Sequence, residues 1–223
     1  EQILPKTDGV PLFVEELTNA ILESNDIRER EDRYEYSGQD HSIAIPATLR
    51  DSLMARLDRY TAVRESAQIG AAIGREFSYD LIQSVAPKTQ AELDQVLQQL
   101  TDSGLAFRRG TPPEATYTFK HALVQDAAYD SLLKSRRQEL HGKIAKVIES
   151  RFPDTKDTQP EVLAHHYTQA GLPEKALQYW SRGGQLALRR SANVEAIIYF
   201  TKGLDQLAQI PRSEEISRRE LDL

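Results

Sequence analysis

Along most of this chain the apolar residues recur at the three- and four-residue spacing of an α-helix; they alternate in one short region only. Near the start, Leu12, Phe13, Leu17, Ala20 and Ile21 fall on one side of a helix over 9–24. Glu15, Glu16, Asn19 and Glu23 fall on the other side, with Pro11 suited to the first turn. Residues 25–42 break the pattern: Arg28 to Arg33 is a run of both charge signs, followed by Ser37-Gly38-Gln39-Asp40, which reads as a solvated loop or connection. Helical spacing returns after Ile45-Pro46 with Leu49, Leu53, Leu57 and Tyr60. It predicts further helices over 63–73, 79–85 and 91–100, the last carrying Leu93, Val96, Leu97 and Leu100 and stopping at Ser103-Gly104. Then the period shortens to two. Leu105 to Arg109 and Thr116 to Lys120 alternate around Gly110-Thr111-Pro112-Pro113, predicting a β-hairpin. Helices, a hairpin and another helix in that order form a winged-helix-like arrangement.

Two more helices are expected over 122–133 and 136–152, the second with Leu140, Ile144, Val147, Ile148 and Phe152 as its core stripe; 153–159 is a polar break. From Pro160 onward the chain reads as a helical array. Ala176, Tyr179, Trp180 and Gly183 reappear twenty residues later as Ala196, Tyr199, Phe200 and Gly203, preceded by Ala164, Tyr167, Ala170 and Gly171. Small residues let helices approach and aromatics fill the space between them, as in tetratricopeptide-type repeats. The expected fold is therefore mainly α. It divides into the end of a helical lid (1–24), a polar linker (25–43), a winged-helix-like domain with one hairpin and its following helices (44–152), and helical repeats (160–223).

Bulk composition narrows the function classes. The 223 residues are 39% hydrophobic and 28% charged, as in a helix-rich globular protein. A net charge of −6 argues against a general nucleic-acid surface. The helix before the hairpin carries Glu92, Asp94 and Asp102 and no Lys or Arg, which would repel phosphates; Arg108, Arg109, Arg136 and Arg137 are a thin basic footprint. There is no cysteine, so a reducing cytoplasm is the simplest compartment. No apolar run is long enough to span a membrane, and no signal peptide is expected. The chain opens on Glu1 and ends inside a charged helical pattern at Leu223, so we expect it to be a piece of a longer protein.

Candidate chemistry is sparse. There is no G-x-x-x-x-G-K-[ST] phosphate loop, no acidic strand motif for magnesium and no carboxylate pair set apart by its spacing. His165 and His166 are adjacent, so a helix points them in different directions, and His41 and His141 have no evident companions; no metal site is expected. Two features remain. Gly9-x-Pro11 is a turn at a helix start, and His121 stands at a strand-to-helix junction, from which a side chain can reach a bound anion near the helix's positive end.

Several segments together carry a family resemblance. Thr7-Asp8-Gly9-Val10-Pro11-Leu12-Phe13-Val14-Glu15-Glu16-Leu17 resembles the opening of the helical lid in the signal-transduction ATPases with numerous domains. Ile45-Pro46-Ala47-Thr48-Leu49-Arg50-Asp51-Ser52-Leu53 resembles the start of their winged-helix region. Gly70 to Phe77, Tyr117 to Tyr129 and Leu163 to Tyr167 extend the match, so that it covers nearly all of 7–207. The likeness is strongest to bacterial proteins joining a class III adenylate/guanylate cyclase domain, an AAA-type ATPase and a tetratricopeptide tail. The resemblance implies that Pro11 packs on the adenine of a bound nucleotide and that His121 reaches the β-phosphate of ADP to hold an off state. The family often has Asp after that histidine, where this chain has Ala122.

The resemblance therefore implies a non-catalytic regulatory segment. It would relay nucleotide state and a repeat-bound input, protein or small molecule, to an output domain of the same chain, an adenylate cyclase. ATP or ADP with magnesium is expected in the full-length protein and no cofactor in this segment; no membrane partner is expected. The alternatives are a segment of a transcription regulator of the same ATPase superfamily and an interaction scaffold in which nucleotide plays no part.

Overall fold

The structure, a computed structural model, describes residues 61–210 continuously and, before them, residues 14, 18, 27–29, 34–36, 53–55 and 57. Pro11 and most of the expected lid helix lie outside the described residues; of that helix, Val14 and Thr18 are helical, joined by a Thr18 hydroxyl that donates to the Val14 carbonyl at 2.7 Å. His41, the Ile45-Pro46 block and residues 211–223 also lie outside them.

The first difference from the sequence expectation falls in the polar linker. Ile27–Glu29 (β1) and Tyr34–Tyr36 (β2) pair antiparallel, Ile27 opposite Tyr36 and Glu29 opposite Tyr34. Runs of three residues are too short for alternation to stand out among the surrounding charges, although Ile and Tyr favour strands.

From Thr61 the elements follow closely. Helix α1 (Thr61–Ile73) leads into β3 (Glu76–Ser78), α2 (Tyr79–Val85) and α3 (Gln90–Asp102). Thr89 opens α3 with a reciprocal cap: its hydroxyl accepts from the Glu92 amide, and the Glu92 carboxylate accepts from the Thr89 amide at 2.8 Å. The chain leaves α3 through Gly104 at φ +69°, a left-handed conformation that a side chain disfavours. The hairpin is β4 (Ala106–Arg109) and β5 (Thr116–Phe119), as expected, but it is two-thirds of a sheet in the order β3-β5-β4. Strand β3 escapes a sequence reading because it is one buried residue, Phe77, between two others. Packing decides it: Phe77 lies opposite Tyr117 and stacks on its ring at 5.6 Å.

After the sheet come α4 (Ala122–Asp130), α5 (Lys134–Arg151) and α6 (Pro153–Thr158). Helix α6 replaces the expected polar break. Pro153 stands at its first turn with Asp154 beside it and Lys156 near its end, charges that suit the helix dipole, and none of its residues is buried. Helices α7 (Pro160–Gln169), α8 (Pro173–Arg189) and α9 (Asn193–Leu207) follow, and the described residues are mainly α. One hydrophobic core runs without a break from Leu53 through Phe77, Leu97, Tyr117 and Ile144 to Tyr167 and Trp180, past the division expected at 153–159. A smaller cluster of Leu177, Leu207 and Ile210 closes the α8–α9 end.

Helix α5 is the spine. It packs against α1 and α2 on one side and α7 on the other, and α7, α8 and α9 follow as consecutive neighbours. The twenty-residue sequence offset is the stride from one helix start to the next, Pro173 to Asn193. Ala176, Tyr179, Trp180 and Gly183 are buried on α8, while on α9 Ala196 and Gly203 are buried and Tyr199 and Phe200 half-buried.

Candidate functional site

His121 is where the sequence puts it, between β5 and α4. Backbone bonds from Phe119 to the Arg75 carbonyl and from Lys120 to the Leu105 carbonyl, both 3.0 Å, tie the end of β5 between β3 and the chain entering β4. His121 then caps α4 in extended conformation (φ −131°, ψ 146°), its carbonyl accepting from the Val124 amide at 3.1 Å. The imidazole makes no capping hydrogen bond. Its Nε2 is buried and has no hydrogen-bond partner among the described residues. A buried nitrogen left so costs about 1–3 kcal/mol. The first turn of α4, Ala122-Leu123-Val124, holds no acidic side chain, so its positive end is unneutralised from within. Pro11 lies outside the described residues, so nothing described brings it to His121.

The basic footprint is largely occupied. Arg108 donates to Gln98 at 3.1 Å, Arg136 pairs with Glu139 at 2.8 Å, and Arg137 pairs with Asp130 and lies over the Tyr129 ring. On α3, Asp94 accepts from the Tyr79 hydroxyl at 2.6 Å and Asp102 from Gln98 at 2.7 Å. The Tyr79 hydroxyl is pushed up to about 12 by burial and by that carboxylate.

The histidines correct a sequence expectation. His141 has companions: its Nδ1 lies 2.8 Å from the Nδ1 of His166, and its Nε2 lies 2.9 Å from the Tyr129 hydroxyl. The ring of His165 also meets both others, with centroids 5.8 Å and 5.5 Å away. His141 and His166 are each 1% exposed, whereas His165 reaches solvent. Two neutral arrangements satisfy the chain of bonds. Either Tyr129 donates to His141 and His141 to His166, or His166 donates to His141 and His141 to Tyr129. Burial, and then the neighbouring histidines, lower His166 to about 3; burial, then His165 and Arg137, lower His141 to about 4. Burial and the Lys202 ammonium lower His165 too.

A periodicity signal for this pair exists in the sequence. His141 adjoins Leu140 and precedes Ile144 by three on the buried stripe of α5, and His166 lies between Leu163 and Tyr167 on that of α7. That the two stripes face each other is a tertiary fact. Among the described residues no three His, Asp or Glu side chains are arranged to hold a metal ion.

A second polar knot joins the same helices. Glu149 on α5 accepts hydrogen bonds from Tyr167 on α7 and from Tyr179 (2.7 Å) and Lys175 (3.0 Å) on α8. Partial burial works to raise this carboxyl, but the two hydroxyls and the ammonium outweigh it and hold it at about 2. No described helix is long and apolar enough to cross a membrane.

No protein-family model matches the chain. It is similar to an uncharacterized protein of Rhizobium meliloti (strain 1021), 26% identical over 207 residues, which is 92% of this chain and 20% of that protein. The chain thus spans about one fifth of the length of the curated relative it matches.

Proposed function

We propose that this chain is a non-catalytic regulatory segment of a multidomain signalling ATPase. It relays the nucleotide state of an ATPase core, and an input bound at its helical repeats, to an output domain that is an adenylate cyclase. The observation that carries this reading is the buried, unpartnered Nε2 of His121 at the start of α4. A donor held there against the positive end of a helix suits a phosphate oxygen delivered from outside the described residues, and ADP supplies one. ATP or ADP, with its magnesium, belongs to the rest of the protein; the part of this chain is to read it. A bound phosphate favours the position of α4 that keeps His121 on it, and α4 reaches the helical array through Tyr129 and His141. The winged-helix-like block and the tetratricopeptide character of α7–α9 belong to this reading, as does a place in the cytoplasm.

The test is calorimetric titration of ADP into the full-length protein, wild type against His121→Ala. We expect ADP affinity to fall about tenfold or more, the scale of a lost charge-assisted hydrogen bond, and cyclic-nucleotide output to lose its dependence on nucleotide state. Equal ADP affinity in the variant would make His121 a structural residue and sink the relay.

A further inference from the structure

A surface cleft of about 300 Å³ opens where the ends of α1 and α7 meet α4 and α5. One wall is apolar: Ala71, Ala72 and Ile73 at the end of α1, and Gly74 just after it. Facing this are polar groups from two other helices, Gln125 and Asp126 on α4 and His165 and Gln169 on α7, with Tyr129 and His141 behind them. His121 does not line it, so the cleft is distinct from the proposed nucleotide contact.

The lining carries one carboxylate, that of Asp126. Asp126 is exposed and has no hydrogen-bond or ion-pair partner among the described residues. Ile73 ends α1, whose last turn holds no basic side chain, and Gln169 ends α7; helix C-termini carry partial negative charge. Gln125 donates one amide N–H to the Ala71 carbonyl at 3.3 Å, and its side-chain oxygen is an acceptor among the lining groups. No Lys or Arg lines the space. Of the cations around it, Arg137 is held by Asp130 and the Leu132 carbonyl, Lys202 lies over the face of Trp180, and Arg75, next to Gly74, is exposed and outside the lining.

We propose that this cleft binds a small organic cation, a primary ammonium or guanidinium compound, with Asp126 as its counter-ion. The N–H groups donate to the Asp126 carboxylate, the Gln125 oxygen and the His165 ring, and the short aliphatic body lies on Ala71, Ala72 and Ile73. A metal ion needs three or four convergent ligands, which the described residues do not assemble. An organic cation needs one carboxylate, two neutral acceptors and an apolar wall, and the cleft has all of these.

The probes are n-butylammonium chloride and guanidinium chloride, titrated into the full chain at constant ionic strength with sodium chloride as the control. Binding is followed by NMR at the His165 and His141 ring protons and the Ala71 and Gly74 amides. We expect saturable shifts confined to the cleft with the organic cations and none with sodium. Asp126→Asn, which keeps the shape and removes the charge, should weaken binding about tenfold or more, as loss of a charge-assisted hydrogen bond does, while Asp154→Asn on the exposed α6 should not. Shifts that fail to saturate, that sodium reproduces, or that survive Asp126→Asn unchanged would each overturn the assignment. The amide spectrum of Asp126→Asn separates lost binding from lost fold, and His165→Ala with weakened but saturable binding supports it independently.

Discussion

Between His141 Nδ1 and His166 Nδ1, 2.8 Å apart, a single proton joins α5 to α7. Both imidazoles are held neutral by burial, below the ordinary histidine value of 6.5. The unfolded chain therefore binds protons that the folded chain does not. Stability from this source is full above about pH 6.5, is lost progressively as pH falls below that, and the loss is complete once pH has passed the folded values near 4 and 3. Urea unfolding at about pH 7 and about pH 4.5 should show it as a lower midpoint at the acid end, and His166→Asn should flatten the difference. An unchanged midpoint would mean that the imidazoles are not buried and neutral. Their buried positions could be anticipated from the apolar stripes they interrupt; their meeting could not, because residues 25 apart in sequence are brought together only by the packing of two helices.

At the scale of elements, the α8–α9 contact depends on one missing side chain. A Cβ at Gly184 would lie 2.5 Å from the Phe200 ring, so the ring or the helix that carries it must shift. Gly184→Ala should therefore destabilise the protein by about 1–3 kcal/mol, seen as a lower thermal midpoint. Pairing it with Phe200→Leu should restore most of the loss; no rescue would place the strain elsewhere. Here the sequence is informative in a particular way. The recurring small and aromatic residues mark helix-to-helix contacts at a stride of one helix and its turn, which is why the offset is twenty rather than the length of a two-helix unit. What periodicity missed were β1, β2, β3 and α6, elements of three to six residues. A run that short repeats its period once at most, so its state is chosen by pairing and by what flanks it.

Across the whole molecule, α5 carries the join between the sheet-bearing half and the helical array, and Glu149 is its densest point. Replacing Glu149 with Ala leaves the hydroxyls of Tyr167 and Tyr179 and the Lys175 ammonium without their shared acceptor. We expect a loss of about 2 kcal/mol, given that the carboxylate keeps some contact with water. Hydrogen exchange should rise across α8 and α9 before it rises in α1 to α3. Uniform exchange over the whole chain would show that the array does not open separately from the rest.

The helical class, the hairpin, the buried faces and the position of His121 were determined by the sequence alone, because each follows from local periodicity or from residues adjacent in the chain. The third strand, the histidine pair, the Glu149 knot and the cation cleft were decided by tertiary structure. Each joins residues from elements that are separate in sequence, and no local preference distinguishes a buried polar residue with a partner from one without.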